Sequence, residues 1–479
     1  MDKAAIIAQS YPFSPTAAQL VFCTKVASFL TEKQGSNCFI LRGYAGTGKT
    51  TSVAALVKAL PQFKLKVVLL APTGRAAKVI SNYTGKRALT IHKKIYRKRS
   101  AVDTELSFQL APNLAEHTLF VVDEASMIAD EWNPQSGSSF LQDLIKFVYQ
   151  SDKYCSLLFV GDTAQLPPVG SIDSPALNEK YLAEKFNLKV TAVELKEVVR
   201  QEKKSGILAN ATMLRKLINT YDPKKINLPQ LRAKGYKDLF SMTGVKLVEG
   251  LEYAYSKFGI ENSLVVCRSN KSANTYNNQI RARLLYRDEE LSGGDQIMVV
   301  KNNYFWLPDN PDTAFIANGD MAKVSRVRRE EERYGLRFAE VNLEFLDFPD
   351  AGTITCKVIL DTLQAETPNL PYAQSRQLFE GLLVDYEHIT NKRERLQAIK
   401  DDPYYNALQI KFAYAVTCHK AQGGQWDAVF VDQGYLTDEM IDLDFLRWLY
   451  TALTRAKKEL FLVNFSKNLF STANEEEDF

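Results

Sequence analysis

Few marks of an exported or membrane-bound protein occur in this chain of 479 residues. Its six cysteines (Cys23, Cys38, Cys155, Cys267, Cys356 and Cys418) are scattered and form no CxxC pair. That excludes a disulfide framework or zinc knuckle and predicts buried thiols in a reducing compartment. No uncharged apolar run approaches the ~18 residues that span a bilayer. No long apolar core follows the first charges either, so neither a membrane segment nor a secretory signal is expected. Histidine is scarce, with four in all. Charge of one sign is also lacking: 60 basic against 56 acidic side chains leave +4, so any basic surface must be local. The expectation is a soluble, cytoplasmic chain without a membrane partner. At 46% hydrophobic and 24% charged residues it has ordinary globular composition, and its length allows two to four domains.

What is present begins with GYAGTGKT, Gly43 to Thr50. An apolar run (Cys38 to Leu41) precedes it and a helix-forming run (Ser52 to Val57) follows, the strand, loop and helix context of a phosphate-binding loop. Glycines there let backbone N–H groups curl around β- and γ-phosphates at a helix N-terminus. Lys49 would reach those phosphates, and the Thr50 hydroxyl would ligate Mg²⁺. A second element, LFVVDEAS, ends an apolar strand in Asp123 and Glu124. Phosphoryl transfer to water needs one carboxylate for the metal and one to orient the attacking water; Asp123 suits the first role and Glu124 the second. A third, GDTAQLPPVG (Gly161 to Gly170), follows another apolar strand, and its neutral amide Gln165 can sense the γ-phosphate at the ligand-binding edge of a sheet.

Two regions alternate short apolar strands with helices, the pattern of mostly parallel α/β sheets. The first runs to about residue 186; the second begins near Val190 and resumes with the run Phe412 to Val416. Between about residues 291 and 404 the alternation of Val341, Leu343 and Phe345, with Gly335 in a charged turn, predicts antiparallel hairpins and a small barrel. Leu378, Phe379, Leu382, Leu383 and Tyr386 recur at helical spacing and predict a helical projection whose apolar stripe is packing. Lys93, Lys94, Arg97, Lys98 and Arg99 around Ile95-Tyr96, then Leu106-Ser107-Phe108, suggest a short basic hairpin.

In order along the chain stand GYAGTGKT, APTGRAAK (from Ala71), TIHK (from Thr90), VVDEAS, GDTAQLPPVG, EVVRQ (from Glu197), VTCHKAQGGQWDAVFVD (from Val416) and YTALTRAKK (from Tyr450). The set resembles superfamily 1 helicases, in particular their RecD-like and Dda-like branch of 5′-to-3′ motors. The resemblance implies two RecA-like P-loop domains with ATP between them. These are 1–186, with a pin-like hairpin at about 93–116, and 187–290 with 405–479. Residues 291–404 would form an inserted barrel of Src-homology-3 type with a helical projection. Arg200 and Arg455 match the family's arginines that reach across the cleft. Gln19 matches the glutamine that reads adenine, and Gly43, Ala45, Gly46, Thr47, Gly48, Thr51 and Gly423 join Lys49 and Thr50 at the nucleotide. Pro72, Thr73, Thr90, His92, Asn270, Thr417 and His419 match segments that line single-stranded DNA, with the Asn318-Gly319-Asp320 turn a weaker candidate. Tyr96 or Phe108 would stack on the junction base pair as the pin.

The implied function is an ATP- and Mg²⁺-dependent DNA helicase of replication, recombination or repair, acting as a monomer on single-stranded and forked DNA. In a bacterium it would be nucleoid-associated. An RNA helicase, a translocase that opens no duplex, or the motor subunit of a nuclease complex are the alternatives. The tail Glu475 to Phe479 resembles the acidic tip of single-strand-binding proteins, which would suit contact with their partners or with the chain's own DNA groove, but the plainer reading of a solubilising end is favoured.

Overall fold

A computed structural model describes every residue except 1, 33–35, 99–107, 134–136, 151–153, 198–204, 226, 308–315, 347–351 and 472–479. The apolar runs named above form two parallel sheets. In the first, the strand order is Lys189–Leu195, Asn37–Gly43, Ser156–Gly161, Thr118–Val122, Lys66–Ala71 and Ala88–Thr90. Every pairing in it is parallel. The inner strands are buried on both faces because helices cover both, which is why they read as unbroken apolar runs rather than alternations. Phe22, Phe39, Leu56 and Val160 pack in one of these layers, and burial of each such side chain contributes about 1.5–3 kcal/mol. Ser156–Gly161 lies between the phosphate-loop strand and the acidic strand, so the GDTAQ loop emerges between GYAGTGKT and Asp123-Glu124.

The second sheet runs Leu239–Met242, Ala456–Val463, Trp426–Asp432, Ser263–Cys267 and Ala415–Thr417, again all parallel. Between its strands a closed barrel is inserted, built from Gln296–Val299, Met321–Arg333, Leu336–Phe345, Thr353–Ile359 and Leu408–Phe412. Two lobes, each built on a parallel α/β sheet, with an inserted closed barrel are the architecture this chain adopts, in keeping with the expected fold class. Tyr334 and Gly335 both have left-handed backbone (φ 55° and 66°), which makes the two-residue turn between the long barrel strands. The stripe on helix Tyr372–Asp385 is packing: Leu378 and Leu382 are buried against Leu336, Phe338 and Ile359 of the barrel.

Two features differ from the sequence expectation. Lys189–Leu195, expected in the second lobe, pairs with Asn37–Gly43 as the edge strand of the first sheet, which therefore extends past residue 186. The run Phe412 to Val416 is not one strand. Leu408–Phe412 closes the barrel, and Ala415–Thr417 starts afresh in the second sheet. The break is held by Tyr414, whose hydroxyl donates to the fully buried Asp295 at 2.8 Å. Arg281 and Arg287 also bind that carboxylate, at 3.0 and 2.6 Å, so the joint between barrel and lobe is a buried ion network.

All six cysteines are buried free thiols, as expected. Among the described residues no helix is long and apolar enough to cross a membrane.

Candidate nucleotide and nucleic-acid site

The loop after Asn37–Gly43 turns on Gly46 and Gly48, whose φ values of 79° and 82° suit glycine. A Cβ on Gly43 would come within 2.7 Å of Thr47 Oγ1, so the approach of strand to loop also requires glycine. Helix Lys49–Ala59 starts at Gly48 with no side-chain cap, which leaves its first N–H groups and their dipole free for an anion. Gly46, Gly48, Lys49, Thr50 and Thr51 are half-buried around this end. Lys49 Nζ donates to the Gly43 and Tyr44 carbonyls at 2.6 and 3.1 Å and lies 4.0 Å from Asp162. It therefore closes the loop on itself.

Asp123 is buried beside Glu124, and its carboxyl is pushed up from 3.8 to about 7. Burial is the main cause and the Glu124 charge the next; the Glu124 N–H (2.9 Å from Asp123 Oδ1) and Lys49 pull the other way. Two crowded acids with one cation nearby are a donor set that a divalent ion would suit, with the Thr50 hydroxyl as a further oxygen. Glu124 has φ 50°, a strained backbone for a non-glycine residue at the end of a strand. Gln165 is buried, and among the described residues no donor reaches its Oε1.

Asp162 was not singled out from the sequence, although it opens the GDTAQ string. It is buried, accepts the Ala164 N–H at 2.9 Å and receives the Tyr450 hydroxyl at 2.7 Å. Tyr450 and Thr451 belong to helix Leu443–Leu453 of the second lobe. Thr451 Oγ1 accepts the Leu166 N–H at 2.9 Å, and Gln422 Nε2 donates to the Leu166 carbonyl at 2.8 Å. Arg447 donates to the Ile172 carbonyl at 2.6 Å. The second lobe thus grips the GDTAQ loop through the Leu166 main chain and the Asp162 carboxylate.

Arg455 is buried and turned into its own lobe. Its Nε donates to the Thr451 carbonyl at 2.9 Å and Nη1 to the Gly424 carbonyl at 3.2 Å. Arg200 lies outside the described residues. Beside Tyr44 a cavity of about 370 Å³ is lined by Glu194, Lys196, Arg215, Lys216 and Asn219. Gln19 is fully buried in a capping box with Thr16: its Oε1 accepts the Thr16 N–H at 3.0 Å, and its Nε2 has no partner among the described residues. Gly423, expected at the nucleotide, instead packs on the other lobe. A Cβ there would meet Ala76 at 2.8 Å and Thr73 Oγ1 at 3.2 Å, so glycine is required for the lobes to touch.

The residues expected to line a strand divide into two groups. Thr73 and Thr90 cap helices Gly74–Thr84 and Ile91–Ile95 through their hydroxyls, next to the half-buried Pro72. Thr417 begins Cys418–Ala421 with no capping bond, so its hydroxyl stays available. It shares a narrow cleft with Asn270 and with two residues missed in the sequence, Lys411 and Lys420. Burial, then the charge of Lys411, lowers Lys420 from 10.5 to about 8. His92 is not a free contact. Its ring stacks on Phe140 at 4.2 Å, and burial lowers its pKa to about 4, so it is a neutral packing group. His419 is exposed.

The basic hairpin exists: Tyr96–Lys98 pairs antiparallel with Phe108–Leu110, while its tip, 99–107, lies outside the described residues. Tyr96 is at its root, donating a 2.6 Å hydrogen bond to Asp143, and cannot serve as a stacking tip. Phe108 pairs with Lys98 at the outer end of the described ladder. The Asn318-Gly319-Asp320 turn belongs to the barrel, with Asp320 buried beneath the Ala317 N–H at 2.6 Å. The acidic tail lies outside the described residues.

Residues 25–220 match the AAA domain family, and residues 412–463 match the UvrD-like helicase C-terminal domain family. An uncharacterised protein of Acanthamoeba polyphaga mimivirus is 21% identical over 92% of this chain and 98% of its own length. The ATP-dependent RecD2 DNA helicase of Deinococcus radiodurans is 24% identical over 93% of this chain, which spans only 50% of that protein. The ATP-dependent DNA helicase dda of Enterobacteria phage T4 is 23% identical over 90% of this chain and 95% of its own length.

Proposed function

We infer that this chain, a superfamily 1 helicase of the RecD-like and Dda-like type, uses ATP to move 5′-to-3′ along single-stranded DNA and part a duplex ahead of it. The observation that supports the reading best is that one segment of the second lobe, from Arg447 to Arg455, meets the GDTAQ loop of the first through Thr451 and Tyr450. A nucleotide switch that works within one lobe has no need of that contact; a motor that converts phosphate state into lobe movement does.

In this mechanism Lys49 leaves the Gly43 and Tyr44 carbonyls for the β- and γ-phosphates, and the open amides of the loop wrap them. Thr50 and Asp123 would hold Mg²⁺, which would offset charge on the phosphates. Glu124 orients the attacking water and accepts its proton, and Gln165, whose Oε1 has no partner among the described residues, faces the γ-phosphate. Arg455 turns from its carbonyl partners to the transferring phosphoryl group, with Arg200 as a second cation. The free Nε2 of Gln19 meets the adenine edge. Neutral hydroxyl and amide groups (Thr73, Thr90, Asn270, Thr417), with Pro72 and His419 beside them, line the strand without fixing its sequence. Phe108 leads the wedge. The protein acts as a cytoplasmic monomer on forked DNA.

ATPase rates with and without single-stranded DNA and RNA, followed by strand displacement from 5′ and 3′ tails, test this. Strong stimulation by DNA and displacement from a 5′ tail are expected. Hydrolysis indifferent to both polymers would remove the motor, stimulation by RNA alone would change the substrate, and opening from only a 3′ tail would reverse the polarity.

A further inference from the structure

The motor reading uses Tyr450 only as a contact with the GDTAQ loop, yet its hydroxyl is bonded to two separate parts of the first lobe. The ring is 1% exposed. The hydroxyl accepts the Ala45 N–H of the phosphate loop at 2.9 Å and donates to Asp162 Oδ2 at 2.7 Å. Asp162 in turn lies 4.0 Å from Lys49 Nζ. One second-lobe oxygen is therefore bonded to a loop amide that belongs to the phosphate cradle and to the carboxylate beside the phosphate-seeking lysine.

We propose that Tyr450 is a positioning residue, a latch that holds the lobes in the phosphate-free register and that the terminal phosphate of ATP displaces. The Ala45 N–H is a single donor and cannot fully serve the phenol and a phosphate oxygen at once. A charged acceptor makes a hydrogen bond roughly twice as strong as a neutral one, so the phosphate wins. Release at this point reaches Arg455 through one turn of backbone. Thr454 N–H is bonded to the Tyr450 carbonyl at 3.1 Å, and Arg455 Nε to the Thr451 carbonyl at 2.9 Å. The inward pose of the arginine and the latch are thus parts of the same helical turn. Loss of the first frees the second to swing toward the nucleotide.

The latch rests on the reading of Gly43–Thr50 as the triphosphate site. It is tested by binding of a non-hydrolysable ATP analogue and of ADP to wild type and to Tyr450→Phe, which keeps the ring and loses both hydrogen bonds. The variant leaves the Ala45 N–H without its acceptor until a phosphate arrives, so triphosphate affinity should rise about 5- to 10-fold. ADP affinity should change less than about twofold. Equal shifts for the two nucleotides, or none, overturn the latch while leaving the nucleotide site intact. Wild type that binds neither nucleotide overturns both. A further measurement needs no altered contact surface: with 3-fluorotyrosine at position 450, the ¹⁹F resonance should move with the analogue and stay near its free position with ADP. The same resonance in all three states would also overturn the latch.

Discussion

The two lobes share a parallel sheet flanked by helices but treat their strand ends in opposite ways. At the first sheet the ends carry left-handed backbone at Gly46, Gly48 and Glu124, a crowded acid pair, and a lysine that donates to two carbonyls of its own loop. At the second, helix Leu443–Leu453 and the Arg455 that follows it match most of their polar groups at the joint: Thr451 with Leu166, Tyr450 with Ala45 and Asp162, Arg455 with Thr451 and Gly424, while Arg447 Nε and Trp448 Nε1 have no partner among the described residues. Unsettled groups mark where a ligand is to be received, and settled ones mark where movement is to be transmitted. One fold therefore serves two purposes, and the difference lies in the loops.

That contrast is broken most severely at Lys49. Lys49→Ala should bring ATP hydrolysis to background while leaving single-strand affinity within a few-fold, as measured by ATPase rates and fluorescence anisotropy. Normal hydrolysis would show that the first-lobe loop is not the nucleotide site. Arg455→Ala probes the other side. Hydrolysis should fall about a thousandfold, the scale of an arginine finger, with ATP-analogue affinity changed much less. A loss of affinity equal to the loss of rate would mean that Arg455 only stabilises its own lobe through Thr451 and Gly424.

Much of the first lobe was legible because its chemistry is local. A glycine loop between strand and helix, or two acids ending an apolar strand, can be read from adjacent residues. Lys189–Leu195 was misplaced because nothing within a strand states which neighbour it pairs with; that is decided by Asn37–Gly43, some 150 residues away in sequence. The run Phe412 to Val416 concealed a change of sheet for a related reason. Its break depends on Asp295, Arg281 and Arg287, which come together only on folding. His92 looked like a strand contact because its motif says so, whereas its stacking partner Phe140 is not in the motif. Lys411 and Lys420 gave no signal at all, since a lysine becomes unusual only when it is buried beside another.

A smaller effect is expected at the hairpin, which belongs to the first lobe but takes no part in phosphate chemistry. Phe108→Ala should slow strand displacement from a forked substrate by about tenfold and leave DNA-stimulated hydrolysis within about twofold, since losing one stacked aromatic removes about 1–3 kcal/mol. Equal losses in both assays would show that the hairpin supports the motor rather than splitting the fork.

The smallest and most diagnostic effect concerns two histidines, His92 of TIHK in the first lobe and His419 of VTCHKAQ in the second. His92 is stacked and half-buried, with its pKa lowered from 6.5 to about 4 by loss of solvent around the ring; His419 is exposed. Because the unfolded chain takes up a proton near 6.5 and the folded one does not until about 4, the contribution of His92 to stability is complete above 6.5. It is lost as the pH falls through that window, by at most about 1.4 kcal/mol per unit. His92→Phe keeps a ring against Phe140 and removes the titration. In urea unfolding at pH 7.5 and 5, the variant should therefore lose less stability than wild type, by about 1–2 kcal/mol, against a background of carboxylates common to both. Parallel losses would mean that the imidazole is open to protons in the folded chain. It would then be free to meet a phosphate as a cation, and the first lobe would grip the strand by charge rather than by neutral, stacked surface.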